Sequence, residues 1–293
     1  MGTKEVWREY VAHLKKHVPA AYANLAPGAS KETIARLEAT LGVELPESLK
    51  VVWRLNDGQR KTMLQGAPLT TPSLPTLSFL STAHVAAVWT SWAKLRQRIG
   101  EKELAELGAR AVTMIPHVVK PRFSSPLWIP LWADPIRANY IGLDFDPGPA
   151  GLVGQIINFG EEETRLCQYG VSFDDLIGSL LYEVKDWGGW EPDVWHTDGQ
   201  DVPWFGKAED SFFNTLHTRW EYRHLNLMFR DEVTVEQAQA AAWPYMPNKA
   251  AARREAKAKA EANARRAAAR AKAKKAKARG MKPAAKKPAT RKR

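Results

Sequence analysis

The sequence predicts an α+β fold, and three features of its hydrophobic pattern lead to this class. Apolar residues recur at helical spacing through much of the first hundred positions. From residue 127 onward the pattern changes to short apolar runs separated by Pro, Gly and Asp, which is typical of strands. No helix-length segment lies between these runs, so the βαβ alternation of a parallel sheet is not expected.

Two helices are predicted in the first forty residues. The apolar residues on one face of the first are Trp7, Val11 and Leu14. Pro19 ends that run, and a loop is expected through residues 27–28. Ser30 is suited to N-cap the second helix because its hydroxyl can accept a hydrogen bond from the first turn, and Gly42 is suited to close it.

Two further helices are predicted before the pattern changes. The third begins at Leu45-Pro46, because proline fits the first turn of a helix, and it ends at the turn of residues 56–58. The fourth begins at Ser81. Its apolar stripe comprises Val85, Val88, Trp89, Trp92, Leu95 and Ile99.

Strands and a closing helix are predicted next. The strands are residues 127–131, 140–144, 155–159 and 165–169. Ser172, with Asp175 three residues later, predicts the capped start of another helix, which buries an apolar face up to residue 184.

The pattern is less regular after residue 184. Between residues 187 and 204 four tryptophans lie among Gly, Pro and Asp: Trp187, Trp190, Trp195 and Trp204. We expect an irregular segment held by these aromatic side chains, then a helix at residues 211–219 and another from Thr234, with Gln237 as its capping partner. The chain thus divides into a domain at 1–184, an extension at 185–248 that packs on it, and a tail at 249–293.

The charge of the chain is divided unevenly between the tail and the rest. The net charge is +11, but residues 249–293 hold 19 Lys and Arg against two Glu, a net of +17, whereas residues 1–248 carry −6. The tail consists mostly of Ala, Lys and Arg and has no apolar stripe. We therefore expect it to be disordered or transiently helical.

The tail predicts an electrostatic function. Binding of DNA or RNA through phosphate contacts, with steep salt dependence, is one interpretation, and the absence of aromatic residues excludes base stacking. The candidate contacts are Arg253, Arg254, Arg265, Arg266, Lys274, Lys275, Lys286 and Lys287. A solubility tail, an anionic membrane or an acidic protein partner are the alternatives.

Five sequence motifs occur in a fixed order. Residues 38–58 read EATLGVELPESLKVVWRLNDG. This pattern predicts a helix, a joint that contains Leu-Pro, a second helix and a turn of Asn-Asp-Gly. They are followed by WIPLW at 128–132, IGLDFDP at 141–147, GLVGQII at 151–157 and VSFDDL at 171–176. This series resembles the SUKH superfamily, which includes fungal cell-wall assembly regulators and many bacterial immunity proteins. The resemblance covers residues 7–184 and departs from the family in a long insertion between residues 58 and 128.

The resemblance implies a single-domain fold in which helices pack on a mixed, mostly antiparallel sheet. It also implies protein–protein binding without catalysis. The motif residues expected to serve the architecture are Glu38, Gly42, Leu45, Pro46, Trp53, Asp57, Gly58, Trp128, Pro130, Asp144, Gly154, Gln155 and Phe173.

The sequence predicts no catalytic residues, no metal and no cofactor. His13 and His17 lie one helical turn apart without a third ligand, and Asp144 and Asp146 have no neighbouring His. The single cysteine, Cys167, is expected to be buried in a strand, and one cysteine fits a reducing compartment. With no apolar run of eighteen residues and no apolar core at the N-terminus, a cytoplasmic protein is expected.

Three functions remain open at this point. The first is an immunity protein that neutralises a toxin, such as a basic nuclease, through an acidic surface. Its candidate partner contacts are Asp144, Asp146, Glu161, Glu162, Glu163, Trp187 and Trp190. The second is a regulatory adaptor that the tail localises on DNA or RNA, and the third is a protein resembling the cell-wall assembly regulators. The oligomeric state stays open.

Overall fold

The computed structural model describes residues 2–61, 70–134, 138–187, 192–197, 199–207 and 232–241. The helices within these ranges are α1 (Thr3–His17), α2 (Pro19–Asn24), α3 (Lys31–Leu41), α4 (Glu47–Leu55), α5 (Thr82–Ile99), α6 (Glu101–Gly108), α7 (Phe173–Tyr182) and α8 (Val235–Ala241). A π-helical turn, Glu183–Trp187, continues α7. The strands are β1 (Ser78–Phe79), β2 (Val112–Thr113), β3 (Trp128–Ala133), β4 (Asn139–Asp144), β5 (Gln155–Gly160), β6 (Arg165–Leu166), β7 (Gln168–Gly170), β8 (Pro192–Thr197) and β9 (Gln200–Phe205).

A five-stranded antiparallel sheet with the order β1-β3-β4-β5-β7 forms the centre of the fold. The short strands β2 and β6 pair in parallel beside it, and β8 and β9 form an antiparallel hairpin. The predicted α+β class with a mixed, mostly antiparallel arrangement is confirmed.

Serine and threonine caps position several of the helices. Ser30, Ser81 and Ser172 each accept a hydrogen bond from the amide of the residue three positions later, at 3.2 Å. At the start of α8 the amides of Thr234 and Gln237 donate to each other's side chains, the reciprocal pattern of a capping box. These predicted helix starts are confirmed.

The joint between α3 and α4 is held by polar contacts and a left-handed residue. Gly42 ends α3 with φ 70°, and Pro46 precedes the first turn of α4. Glu38 Oε1 accepts from the Leu45 amide at 2.8 Å and from Lys50 Nζ at 3.3 Å. Two helices joined by only a few residues are thereby kept at a fixed angle.

The turn after α4 connects that helix to β1 and α5. Asp57 accepts hydrogen bonds from the amide and the hydroxyl of Thr82, at 2.7 and 3.0 Å, so it caps α5 from a distant part of the chain. Gly58 has φ 67°, and a Cβ at this position would lie 2.3 Å from the Ser81 amide nitrogen. Trp53 is fully buried and its Nε1 donates to the Leu80 carbonyl at 3.3 Å.

The core lies between the sheet and the helices and contains stacked aromatic rings. Trp132 in β3 stacks on Phe173 of α7, with ring centroids 5.9 Å apart, and on Phe79 of β1 at 5.8 Å. Pro130 lies where the β3–β4 register shifts, beyond the two residues that pair with β1. A proline fits there because it cannot donate to a neighbouring strand. Cys167 is buried, as predicted, at the break between β6 and β7.

The described parts of the extension pack on the domain. The Phe205 carbonyl accepts from the Thr76 amide at 2.8 Å, and the Pro203 carbonyl accepts from the Thr71 hydroxyl at 2.7 Å. In α8 and just before it, Ala238 and Val233 are buried in the core. These contacts place residues 199–207 and 232–241 against the main sheet domain.

Two predictions about secondary structure are wrong. Residues 192–197 and 200–205 form a regular hairpin rather than an irregular segment, because the edge positions of Pro192 and Pro203 leave its ladder intact. Residues 19–24 form the short helix α2 where a loop was expected, since Pro19 begins a helix as readily as it ends one. The helix predicted at 211–219 and the tail at 249–293 lie outside the described residues.

Candidate protein-interaction site

A buried carboxylate, Asp144, lies at the centre of the motif residues. It is 0% exposed at the end of β4 and accepts three hydrogen bonds. The donors are Trp128 Nε1 at 3.0 Å, the Asp146 amide at 2.9 Å and Gln155 Nε2 at 2.9 Å. Burial raises the pKa of Asp144, and these three donors oppose the rise only in part.

Gln155 extends this network to two loops and a neighbouring strand. Its Nε2 also donates to the Val118 carbonyl at 3.1 Å, and its Oε1 accepts from the Leu152 amide at 3.0 Å and from Gln168 Nε2 at 2.8 Å. The amide of Gly154, which has φ 83°, donates to the Asp144 carbonyl at 2.7 Å. The network therefore fixes loops 115–121 and 145–154 against the sheet.

The carboxylate of Asp144, a predicted partner contact, is enclosed by these donors and is 0% exposed. Asp146 is partly buried and forms ion pairs with Lys120 and with Arg122, whose Nη1 lies 2.6 Å from Asp146 Oδ2. Its negative charge is therefore shared between two cations and does not form an acidic surface.

The predicted acidic cluster is also divided in space. In the β4–β5 ladder Asp144 pairs with Gln155, whereas Asn139 pairs with Gly160, directly before Glu161. The five-residue separation along the strands is about 17 Å, so the two groups lie at opposite ends of the sheet. A single acidic surface that includes both groups does not form.

Residues 161–163 have unequal exposure. Glu161 and Glu162 are exposed, whereas Glu163 is half-buried and accepts from the Arg165 amide at 2.9 Å. Burial raises the pKa of Glu163, against hydrogen bonds from Arg165 and Asn158 that lower it. Of the predicted aromatic anchors, Trp187 is the last residue of the π-helical turn and Trp190 lies outside the described residues.

A groove of about 520 Å³ opens beside the network, and sequence reasoning missed it. One side is β2 with Ala111, and the others are loop 116–121 and Gly148-Pro149. These loops are joined by hydrogen bonds from the Gly148 amide to the Val118 carbonyl, at 3.0 Å, and from the Ala150 amide to the His117 carbonyl, at 2.9 Å. A two-residue strand carries no recognisable alternation, so the sequence offered no signal for this edge.

Apolar side chains are exposed in and near this groove. Val112, in β2, is 47% exposed, and Leu152 and Val153, on the loop that also carries Pro149, are 48% and 71% exposed. His117 adopts φ 68°, a left-handed conformation that is costly for a residue with a Cβ, and its Nε2 lies 2.9 Å from the Val233 carbonyl. An exposed apolar groove on a rigid scaffold is a feature of protein-binding surfaces.

Neither a metal site nor a membrane span is found in the described residues. Within them, no group of three or more His, Cys, Asp or Glu side chains could hold a metal ion. His13 and His17 stack with ring centroids 4.5 Å apart, and burial followed by the neighbouring positive charges lowers the pKa of His13. In the same parts of the chain, no helix combines the length and hydrophobicity that a bilayer crossing requires.

The motif residues lie in a part of the chain that matches a known family. The sequence model of the SMI1/KNR4 family (SUKH-1) matches residues 28–179, more than half of the chain. The chain belongs to the SMI1/KNR4 family. The matched range includes α3 and α4, the whole five-stranded sheet and most of α7.

Curated relatives of this SMI1/KNR4 protein are fungal. It is 27% identical over 191 residues to the cell wall biosynthesis/cell cycle regulator smi1 of Schizosaccharomyces pombe, a match that covers 64% of this chain and 36% of the relative. It is 24% identical over 279 residues to the cell wall assembly regulator SMI1 of Saccharomyces cerevisiae, covering 82% and 54% respectively. A KNR4/SMI1 homolog of Yarrowia lipolytica is 27% identical over 270 residues, a match that covers 77% of this chain and 36% of the homolog. The chain thus spans about a third to a half of the length of these relatives.

Proposed function

We propose that the described domain is a non-catalytic protein-binding module of a regulator, and that it acts in the control of cell-wall assembly. The family match and the printed names of the fungal relatives support this role. The relatives are longer than this chain, so a role in cell-wall assembly and a protein partner are proposals for this protein.

One structural observation carries the binding role. The polar side chains of the family motifs bond to each other and to the backbone inside the fold, as Asp144 and Gln155 do. The surface beside them is an apolar groove on loops that this network holds in place. A rigid internal network that supports an apolar surface suits recognition of another protein.

Affinity capture with the full chain tests this proposal. We would compare the wild-type protein with a full-length variant in which all 19 Lys and Arg of residues 249–293 are replaced by Gln, each with and without nuclease treatment. We expect the same protein partner with both forms, resistant to nuclease. A partner that is lost in the variant and after nuclease treatment would contradict a binding role for the domain.

Neutralisation of a basic toxin has less support as the finer function. It was predicted from the acidic charge of residues 1–248, and among its candidate carboxylates Glu161 and Glu162 are the exposed ones. Asp144 is buried and Asp146 pairs with two cations. Of the five carboxylates predicted to meet a basic nuclease, two are therefore exposed.

A second candidate function is nucleic-acid binding by residues 249–293. Its support is the net charge of +17 in 45 residues that include no aromatic side chain. Such a segment neutralises phosphates without reading bases. The proposed contacts are Arg253, Arg254, Arg265, Arg266, Lys274, Lys275, Lys286 and Lys287. Gel-shift titration of the full chain against duplex DNA tests this function separately from partner capture.

A further inference from the structure

The β2 edge of the groove has backbone groups that point away from its partner strand. In the parallel β2–β6 ladder, the amides of Val112 and Met114 donate to the Thr164 and Leu166 carbonyls, at 2.7 and 2.9 Å. Because alternate residues of a strand face opposite neighbours, the N–H and C=O groups of Thr113 point away from β6. Thr113 lines the groove, and within the described parts of the chain these outward groups form no hydrogen bond with a loop or turn.

The walls of the groove suit apolar side chains next to that edge. Pro116, Pro121 and Pro149 contribute rigid apolar surface, and Val112 is 47% exposed. The prolines lack an N–H, so they add no competing backbone donors to the walls. An extended segment lying along β2 would place alternate side chains against these walls.

Positive charge lies in and near the groove. Lys120 is the charged residue among the lining side chains, and Arg122 lies two positions further on. Asp146 is the carboxylate that both cations share, which leaves one positive charge in excess. The side chains of Lys120 and Arg122 are 37% and 44% exposed, so an incoming carboxylate can reach them.

We propose that this groove binds an extended segment of a partner protein that adds a strand to the edge of β2 that faces away from β6. Thr113 supplies the backbone hydrogen bonds, the proline and valine walls take apolar side chains, and Lys120 with Arg122 takes a carboxylate of the segment. This proposal rests on the proposed protein-binding function and names the chemistry of its partner. Since β2 is only two residues long, the affinity depends on the apolar and charged contacts as well as on the strand pairing.

A proline substitution separates strand addition from loss of folding. Thr113→Pro removes the outward N–H and fills the space next to it, while the amides that pair with β6 remain. Val112→Pro is the matched contrast, because the Val112 amide donates to Thr164. Thr113→Ala controls for the side chain. We expect thermal unfolding to show a normal fold for Thr113→Pro and Thr113→Ala, and a less stable one for Val112→Pro.

Random twelve-residue peptides displayed on phage, panned on the full-length protein, provide the probe. We expect selected peptides to be rich in apolar residues with Asp or Glu at one end. A synthetic copy of the most enriched peptide should bind Thr113→Pro at least about tenfold more weakly than wild type, and Thr113→Ala within about twofold. Arg122→Gln should reduce binding of that peptide, whereas Arg98→Gln, an exposed arginine outside the groove, should not.

Each contrary outcome overturns the proposal. The proposal fails if panning selects no peptide, or if the selected peptides lack carboxylates. It also fails if Thr113→Pro binds the peptide as tightly as wild type does. Displacement of the selected peptide by a synthetic peptide of residues 242–246 would assign the groove to this chain's own sequence. If the captured partner still binds Thr113→Pro, the groove proposal fails while the protein-binding function stands.

Discussion

At the scale of single residues, Gly42 and Gly58 adopt nearly the same left-handed backbone in different surroundings. Their φ angles are 70° and 67°, but only Gly58 has backbone atoms where a Cβ would lie. We expect Gly58→Ala to lower the free energy of unfolding by more than about 3 kcal/mol, because strain and a backbone clash add. Gly42→Ala, with open space around it, should cost about 1 kcal/mol. Urea denaturation of both variants measures this difference, and equal losses would contradict the role of Gly58.

Asp144 is a second residue whose role can be measured directly. In Asp144→Asn the amide nitrogen would face one of the donors that now bond to the carboxylate, leaving a buried donor without an acceptor. We expect a loss of about 2–3 kcal/mol in the free energy of unfolding at neutral pH. Glu162→Gln, at an exposed position, should change it by less than about 0.5 kcal/mol. A small effect of Asp144→Asn would show that its network contributes little to stability.

The raised pKa of Asp144 gives stability a definite dependence on pH. Because the folded state holds this proton more tightly than the unfolded state, the group stabilises the fold below the ordinary pKa of Asp. That contribution is lost as the pH rises through the folded-state pKa. We therefore expect the stability advantage of wild type over Asp144→Asn to narrow as the pH rises across this window. An advantage that widens instead would mean that the hydrogen bonds outweigh burial.

At the scale of secondary-structure elements, α5 offers a matched test of capping. The Ser81 hydroxyl accepts from the His84 amide at its start, whereas Ser91 is exposed in the middle of the same helix. Ser81→Ala should cost about 1 kcal/mol, because it leaves an amide of the first turn without this acceptor. Ser91→Ala should be neutral or slightly stabilising, since alanine favours helix interiors. Thermal unfolding of the two variants measures the contrast, and equal shifts would show that the cap does not stabilise α5.

Elements with local signals could be predicted from the sequence, and those that depend on distant pairing could not. The caps at Ser30, Ser81 and Ser172 are decided within a few residues, so their pattern was sufficient. The hairpin at 192–205 was missed because its two strands contain prolines and few alternating apolar residues. Its pairing becomes recognisable only when Phe205 packs into the core.

The candidate site was harder to predict than the fold, because it depends on contacts between residues that are distant in the sequence. The sequence contains Asp144 and Asp146 as two acidic residues on one strand end, and only tertiary structure shows that one is enclosed and the other ion-paired. The groove is formed by residues from positions 111 to 149, brought together by the Gln155 network. No local pattern encodes that convergence.

At the scale of the whole molecule, the division of charge predicts a steep salt dependence. We expect binding of the full chain to a duplex DNA to weaken by about 10³-fold or more between 50 and 200 mM salt, with little preference for sequence. The variant with 19 Gln replacements should lose this binding, whereas Thr113→Pro should retain it. Gel-shift titrations at several salt concentrations measure both, and salt-independent or sequence-specific binding would contradict an electrostatic tail.

The central claim is that the folded domain, and not the basic tail, holds the protein partner. Titration calorimetry of the purified partner against three full-length forms tests it most directly: wild type, the 19-Gln variant and Thr113→Pro. We expect the 19-Gln variant to match wild type and Thr113→Pro to bind at least about tenfold more weakly. Loss of binding in the 19-Gln variant with full binding by Thr113→Pro would contradict the claim and assign partner recognition to the tail.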